Sequence, residues 1–450
     1  MKPRALRRPA LPDVLRERVR LCTGDDGDHD AIIDLARSAD IVLIGEASHG
    51  THEFYRERAS ITRRLIEELG FTAVAVEADW PDADRVHGYA TGTGYDRTAV
   101  DALAGFERFP QWMWRNADVV AFIEWLRLRN LEVGEPRRQC GFYGIDLYSL
   151  HGSMRAVLRY LDRVDPDAAR RARYRYACFD HAGEDPQAYG YAASFEIDRS
   201  CEDEAVRQLL ELRQRAADYA RRDGRRAADA FFSAEQNAVL VRNAEVYYRS
   251  MFRGRVSSWN LRDRHMAETI ERLASHLARE GVAPRIVVWA HNSHLGDARA
   301  TAMGRAGELN VGELVRERFG HRALLIGQTT HTGFVTAASS WDGPAEHKAV
   351  VPSLEESWER VFHDVGVPRF LVPIRGDARM REALDGVRLE RAIGVIYLPE
   401  TERASHFFGA RIADQFDLVL HIDETTALEP LEMIAFEEPE EPVETFPSGV

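Results

Sequence analysis

The sequence predicts an α/β fold in which a mainly parallel sheet is flanked by helices and carries a helical insertion or subdomain. Three observations predict it. Short apolar runs rich in Val, Ile, Leu and Phe recur along the chain. Each run is continuous, which is typical of strands buried on both faces of a parallel sheet. No such run occurs between about Met154 and Ala283, where the pattern is helical and dense in Arg, Glu and Ala.

Eight segments share the apolar pattern and are predicted to be strands. They are Ile41 to Ile44, Thr72 to Val76, Gly141 to Ile145, Arg285 to Trp289, Ala323 to Ile326, Arg369 to Pro373, Ile393 to Tyr397 and Phe416 to His421. Longer helical patterns separate them, which favours parallel pairing through crossover helices.

The length of 450 residues exceeds what one compact core usually holds, so we expect two domains or one large domain with an insertion. Residues 1–150 and 284–428 are assigned to the α/β catalytic core, and residues 151–283 to the helical insertion. Residues 429–450 are acidic, contain proline and lack periodicity, which predicts a partly disordered tail.

Composition narrows the classes of partner and the compartment. The chain has 59 basic and 73 acidic residues and a net charge of -14, which argues against nucleic acid or an anionic membrane as a partner. Cys22, Cys140, Cys178 and Cys201 lie far apart and form no CxxC pair, which argues against a zinc ribbon or a disulfide scaffold. No stretch has the length of a membrane span, and no apolar region follows the basic N-terminus. We expect a soluble cytoplasmic protein, and no oligomeric state is predicted.

Ionisable side chains follow four of the predicted strands. In chain order these are Glu46 and His49, then Glu77 and Asp79, then Asp146, then His291 and His294. Ligands of open parallel sheets bind at the carboxyl ends of the strands. A helix cap or a solvated histidine explains any one of these residues, and for Asp79 or Asp146 alone it is the better explanation. Four strands that end in this way predict one shared site.

Arg58 lies on the first turns of the amphipathic segment YRERASITRRLIEELG, which Gly70 ends in a helix C-terminal position. From there it can reach the carboxylates or a substrate oxygen, and a surface salt bridge is equally compatible. Glu57, Arg63, Arg64 and Glu67 are predicted to lie on the solvated face of the same helix.

These residues lie in motifs that resemble the erythromycin esterase-like family of hydrolases. The resemblance rests first on GEASHGTHEFYRERA at Gly45 to Ala59, VEADW at Val76 to Trp80 and WAHNSHLGD at Trp289 to Asp297. FPQWMWRN, WNLRDRHMAE, RAIGVIYLPETERASHFF and DLVLHIDE extend it over nearly the whole chain.

The resemblance implies an α/β core with a helical part and ester hydrolysis without a metal or other cofactor. It implies His49 as general base, supported by Glu46, with Arg58, Glu77, His291 and His294 completing the catalytic site. The GEASHGTHEF pattern departs from that of the macrolide-hydrolysing members, so the resemblance supports the site more strongly than it supports a macrolide substrate.

Elementary chemistry agrees with these roles. A histidine has an unperturbed pKa of about 6.5, which suits it to activate water. Glu46 would orient the ring of His49 and stabilise its protonated form. Arg58 or a protonated His291 would stabilise the oxyanion. Glu77 would hold Arg58 or a second water, and His294 would protonate the leaving group. We expect the partner to be a small-molecule ester, a class that includes macrolide-type lactones.

Three alternatives stay open. A covalent serine route through Ser48 or Ser293 ranks lower because neither lies in a GxSxG elbow. A metal-dependent hydrolase is the second class, since Glu46, His49, Glu77, His291 and His294 are suitable ligand types for zinc or manganese. A non-catalytic binding protein is the third.

Three further groups carry weaker signals. Trp112 and Trp114 can line an apolar cleft, although buried packing is their commoner role. Arg262, Asp263 and His265 fall on a predicted helix, where a surface ion pair is the commoner explanation for Arg262. His406 can approach the site from the C-terminal part, although a packed histidine is commoner.

Overall fold

A computed structural model describes residues 10–183, 185–195, 200–221, 225–252, 254–279 and 281–434. Its strands are β1 Arg20–Leu21, β2 Ile41–Ile44, β3 Ala73–Asp79, β4 Gly141–Asp146, β5 Ile286–Trp289, β6 Ala323–Ala337, β7 Glu346–Val350, β8 Arg369–Pro373, β9 Arg388–Arg391, β10 Phe407–Ala410 and β11 Leu418–Thr425.

Nine of the strands form one mixed sheet in the order β1-β8-β11-β6-β2-β5-β3-β4, with β7 paired to the far end of β6. The pairs from β11 through β4 are parallel. The antiparallel pairs of this sheet are β1 with β8, β8 with β11, and β7 with the end of β6. The predicted α/β fold with a mainly parallel sheet is confirmed.

One predicted strand is wrong. The segment from Ile393 to Tyr397 makes only isolated bridges, to Ser48 and to Ala338. Ile393 and Tyr397 at its two ends are buried in a small cluster with Val335 and neighbouring residues of β6 and β7. Burial, rather than membership of a sheet, therefore explains the apolar run. Strands β9 and β10 form a separate two-stranded sheet that the pattern did not predict.

The helices flank both faces of the sheet. They are α1 Leu11–Arg16, α2 Asp30–Ala36, α3 His52–Leu69, α4 Trp80–Thr91, α5 Ala99–Leu103, α6 Ala117–Val133, α7 Leu150–Val164, α8 Pro166–Tyr176, α9 Pro186–Ser194, α10 Glu202–Gln214, α11 Ala216–Ala220, α12 Arg225–Ser250, α13 Arg255–Arg279, α14 Asn292–Leu295, α15 Ala302–Arg305, α16 Val311–Phe319, α17 Trp358–His363, α18 Ala378–Ala383, α19 Glu402–Ser405, α20 Ile412–Gln415 and α21 Leu431–Ile434.

Alternate residues of the central strands face two separate cores, because successive side chains of a strand point to opposite faces. Ile41 and Leu43 of β2 pack into a cluster that continues through the helices from α7 to α13. Val42 and Ile44 pack into a second cluster covered by α2 to α6. Burial on both faces accounts for the continuous apolar composition of these strands.

The described residues between α7 and α13 form helices and contain no strand. They share one continuous apolar cluster with a face of the sheet. The division at residues 151 and 283 stays a prediction. Most of the predicted tail, from residue 435 onward, lies outside the described residues. Across the described part of the chain, no helix has the length and apolar character needed to cross a membrane.

Cys178 and Cys201 form a disulfide, which the spacing of the cysteines did not lead us to expect. Cys178 follows α8 and Cys201 precedes α10, and these two helices contact each other. Helix packing thus brings together two cysteines that are 23 residues apart in the chain. Cys22 and Cys140 are free.

Candidate active site

The four strands that end in ionisable residues are neighbours, in the order β2-β5-β3-β4. Their carboxyl ends therefore lie side by side, and they border a cavity of about 500 Å³. Among the sequence-predicted residues, His49, Glu77, His291 and His294 line this cavity. Glu46 and Arg58 lie behind them and are absent from the cavity wall.

The loop after β2 passes very close to its neighbours, which explains its glycines. A Cβ atom at Gly45 would overlap the side chain of Asn292, and one at Gly50 would overlap the backbone carbonyl of Thr336. The Asn292 N–H donates to the Glu46 carbonyl at 2.8 Å, which ties the loop after β5 to the loop after β2. The two loops that carry His49 and His291 are thereby held in register.

Glu46 and His49 form a buried carboxylate–histidine pair. The Glu46 Oε1 to His49 Nδ1 distance is 3.0 Å. Because a carboxylate only accepts, Nδ1 carries the proton, and in the neutral ring the lone pair is on Nε2. Nε2 makes no hydrogen bond with any described residue, and His49 lines the cavity. This nitrogen is therefore available to a water or a substrate.

Arg58 binds the other oxygen of Glu46. Its Nη2 lies 2.9 Å from Glu46 Oε2, and both side chains are 1% exposed. The guanidinium also stacks over Tyr55 at 4.2 Å and over Trp289 at 5.2 Å. Arg58 therefore contacts Glu46 on the side away from the cavity and does not line the cavity.

One assignment on the same helix is wrong. Glu57, predicted on the solvated face of α3, is buried and paired with His29 at 2.8 Å and with Arg369. The N-terminal segment and the start of β8 cover that face of the helix, and the helical pattern alone cannot reveal such covering.

Glu77 binds Arg262 and not Arg58. Its Oε1 accepts from Arg262 Nη2 at 2.6 Å, and its Oε2 accepts from the His291 backbone N–H at 2.9 Å. Burial alone would raise the pKa of Glu77, but His294 and Arg262 outweigh it and hold the pKa below its usual range. Glu77 is therefore a fixed negative charge in the floor of the cavity.

Arg262 belongs to the site, although a surface ion pair was the favoured explanation for it from the sequence. It reaches from α13 to Asp146 with Nε at 3.0 Å and Nη2 at 2.7 Å, as well as to Glu77. Asp146, for which a structural role such as a helix cap was the favoured explanation, also lines the cavity. No sequence signal pairs residues more than a hundred positions apart, but the position of Arg262 inside the WNLRDRHMAE block was a usable hint.

His294 has a carboxylate partner of its own, Asp263. The His294 Nδ1 lies 2.8 and 3.0 Å from the two oxygens of Asp263. Burial opposes the charge on His294, but Asp263 and Glu77 outweigh it and raise its pKa. The ring also stacks on Trp259, with centroids 4.4 Å apart and an interplanar angle of 8°.

His291 behaves in the opposite way. Burial and the neighbouring His49 lower its pKa to about 3, so the ring is neutral. Its Nδ1 accepts from the Ser293 N–H at 3.2 Å, which places the proton of the neutral ring on Nε2. Nε2 makes no hydrogen bond of acceptable geometry, although the Ala47 carbonyl lies near. His291 is therefore a neutral donor and not the protonated residue that we expected.

Aromatic rings form much of the remaining cavity wall. They are Phe106, Phe109, Trp114, Tyr148, Trp259, Trp341, Phe407 and Phe408. Trp112 is buried beside them and does not line the cavity, whereas His406 does. The site thus combines a charged floor at the strand ends with apolar walls, an arrangement common in small-molecule sites.

The arrangement gives little support to two of the alternatives. The Ser48 hydroxyl is hydrogen-bonded to Thr51. Ser293 Oγ is hydrogen-bonded to His291, whose pKa of about 3 makes it a poor base. No three His, Cys, Asp or Glu groups among the described residues are arranged to hold a metal ion. Both oxygens of Glu77 are already engaged by protein groups.

Comparison with known proteins gives a consistent family. Residues 66–425 match the family described as Erythromycin esterase. YbfO of Bacillus subtilis (strain 168) is 23% identical over 309 residues, which are 65% of this chain and 65% of that protein, just under two thirds of its length. Erythromycin esterase type I of Escherichia coli is 23% identical over 324 residues, 69% of this chain and 74% of that protein.

A solved structure has the same fold. A mutant of erythromycin esterase EreC in its open conformation superimposes with a TM-score of 0.63, covers 91% of this chain and 97% of its own, and is 19% identical. At that identity the likeness concerns the fold.

Proposed function

The chain belongs to the erythromycin esterase family, and from that premise we propose that it hydrolyses a carboxylic ester by attack of a water that His49 activates. The observation that carries the proposal is the Glu46–His49 pair, whose unbonded Nε2 belongs to a residue of the cavity wall. A macrolide-type lactone is the first candidate substrate, because relatives are named as erythromycin esterases.

In the first step His49 Nε2 removes a proton from water, and the hydroxide oxygen forms a bond to the ester carbonyl carbon. The imidazolium that results is stabilised by Glu46, which keeps Nδ1–H in place. Arg58 pairs with the other oxygen of Glu46 and so fixes the orientation of that carboxylate. Arg58 is thus a positioning residue in this scheme.

In the second step negative charge develops on the carbonyl oxygen. His291 is a neutral donor in the cavity wall, and Arg262, held by Glu77 and Asp146, is a fixed guanidinium donor in the floor; we assign to these two residues the stabilisation of this oxygen. A donor already held in place costs no reorganisation when the charge appears. This replaces the roles that the sequence suggested for Arg58 and for a protonated His291.

In the third step the carbon–oxygen bond to the alkoxide breaks, and His294 gives its proton to the departing oxygen. The products are the acid and the alcohol. His294 regains a proton from solvent, and His49 releases the one that it took, so the enzyme returns to its initial state.

The cavity suits a substrate of appreciable size. Its volume of about 500 Å³ lies within the range of small-molecule pockets. Eight aromatic rings in its lining favour a substrate with a large apolar body. A macrolactone and a bulky ester of another kind both meet this description.

The test is the variant His49→Gln beside a matched control, His52→Gln. His52 lies in the same motif and also pairs with a carboxylate, Asp118, at 2.7 Å, but it does not line the cavity. Loss of a general base costs about 10²–10⁴-fold in kcat. We expect that loss for His49→Gln, little change for His52→Gln, and unchanged unfolding for both.

Activity is measured on a macrolide and on a panel of simple esters, with and without chelator. Retained activity in His49→Gln contradicts the proposed base. Activity that follows a bound metal favours the metal-dependent alternative. Absence of hydrolysis in the wild type on the whole panel contradicts the esterase.

A further inference from the structure

His294 belongs to a second buried carboxylate–histidine pair, built from a part of the chain remote from Glu46 and His49. Asp263 lies on α13 and its side chain is 0% exposed. Both of its oxygens lie within 3.0 Å of His294 Nδ1. Oδ1 also accepts from the Val311 N–H at 3.1 Å. Burial raises the pKa of Asp263, whereas His294, Arg262 and the Val311 amide favour its carboxylate form. Because both carboxylate oxygens face His294 Nδ1 and Oδ1 also accepts from the amide, we assign the shared proton to the imidazole.

Trp259 packs against one face of the His294 ring. It lies one turn before Asp263 on α13 and stacks on His294 in nearly parallel fashion. Its indole N–H donates to the Leu309 carbonyl at 2.8 Å, which fixes the plane of the indole. An aromatic face attracts a positive charge that lies against it. The stack therefore both orients the imidazole and favours its charged form.

The two histidines of the HNSH motif have opposite states, although they are three residues apart. His291 is neutral, since its pKa is lowered to about 3, whereas the pKa of His294 is raised. Environments that push two titratable groups in opposite directions mark distinct acid and base roles. His294, whose pKa is raised, is therefore the member suited to the role of acid.

The second nitrogen of His294 has one partner for each protonation state. Nε2 lies 3.4 Å from Glu77 Oε1, which can accept from the charged ring, and 3.1 Å from Arg262 Nη1. Arg262 can only donate, so its bond to Nε2 forms when that nitrogen has lost its proton. Arg262 can therefore donate a hydrogen bond to the neutral His294 ring that is left after proton transfer.

We propose that Asp263 and Trp259 are positioning residues that hold His294 as the acid of the reaction. This rests on the proposed function. In the step concerned, the C–O bond to the alkoxide breaks, its electron pair stays on the departing oxygen, and that oxygen takes the Nε2 proton. Asp263 keeps Nδ1–H directed at itself, so that Nε2 is the donor.

The test compares two esters of the same acid that differ in their leaving group. A p-nitrophenyl ester releases a stable phenolate that needs no proton, whereas an alkyl ester of the same acid releases an alkoxide that does. In Asp263→Asn we expect kcat to fall about 100-fold on the alkyl ester, in the range for loss of proton transfer, with a far smaller effect on the p-nitrophenyl ester. Trp259→Leu is expected to show the same bias, more weakly.

The pH profile gives a second readout. Activity on the alkyl ester is expected to fall as the pH rises through the pKa of His294, because the acid is then deprotonated. Asp263→Asn removes the carboxylate that raises this pKa, so the alkaline limb should move to lower pH. An unmoved limb overturns the proposal, as does an equal loss on both esters.

Asp229→Asn is the matched control, since Asp229 forms a buried-histidine pair with His276 at 3.0 Å on the helical side of the molecule. It is expected to leave the leaving-group bias unchanged. The pKa of His294 is also measured directly by NMR of ring-labelled histidine, with His294→Gln for assignment. If the wild type hydrolyses neither ester, the proposed function fails. The titration still decides the role of Asp263, because an unchanged pKa of His294 in Asp263→Asn contradicts it.

Discussion

The Arg58–Glu46 pair makes a quantitative prediction that needs no substrate. Both side chains are 1% exposed, and their closest atoms are 2.9 Å apart. Arg58→Met keeps most of the side-chain volume and its contact with Tyr55 and Trp289, but it leaves Glu46 as a buried carboxylate without a cation. Removal of one partner of a buried pair costs about 3–5 kcal/mol. We expect a loss of that size in the free energy of unfolding.

A double-mutant cycle separates the pair from the other contacts of each residue. Glu46→Gln is expected to destabilise as well, because it leaves the Arg58 charge buried and uncompensated. The double variant has neither charge, so its loss should be smaller than the sum of the two single losses by about 1–3 kcal/mol. The cycle is measured by urea unfolding at pH 7. Additivity within about 0.5 kcal/mol would refute the reasoning, since the charges would then not interact.

Two further predictions concern stability. Burial and the nearby Asp79 carboxylate raise the pKa of Asp82 from 3.8 to about 7; the stability that its neutral form contributes is complete below pH 3.8 and is lost as the pH rises through 7. Asp82→Asn should therefore unfold at higher urea concentration than the wild type at pH 8 and at a similar one at pH 4, and equal midpoints at pH 8 would contradict this. Gly50→Ala should lose about 3 kcal/mol by overlap with the Thr336 carbonyl, whereas Gly70→Ala, which has a left-handed φ of 69° but open space around it, should lose about 1 kcal/mol. Similar losses for the two variants in thermal unfolding would contradict the packing argument.

The sequence was sufficient for the fold and for the placement of the strand ends. Continuous apolar runs report burial on both faces, and residues such as Ile41 and Val42 indeed face two different cores. The same signal failed at Ile393 to Tyr397, because burial does not specify a hydrogen-bonded partner. Strands β9 and β10 have four residues each, as β2 and β5 do, but most of their residues are only partly buried, so they carry no continuous apolar run like those of β2 and β5.

The environment of each site residue could not be obtained in this way. The motif located Arg58 near Glu46, but whether it faces the cavity depends on the packing of Tyr55 and Trp289 around it. Arg262 and Asp263 belong to a helix that reaches the sheet only through tertiary packing. Periodicity places a residue on one face of its helix, and what covers that face depends on contacts remote in the chain.

The position of β5 also has a consequence for how the protein is made. This strand lies between β2 and β3, although both precede it in the chain by far. Roughly 200 residues separate β3 from β5 in the chain. At a synthesis rate of about 5–20 residues per second, β5 is therefore made roughly 10–40 s after the two strands between which it lies. During that time each exposes an apolar edge, the kind of surface that pairs with other chains. The helices from α7 to α12 are synthesised in this interval and can form from local contacts, so they can shield one face of the waiting strands on the ribosome before the sheet closes.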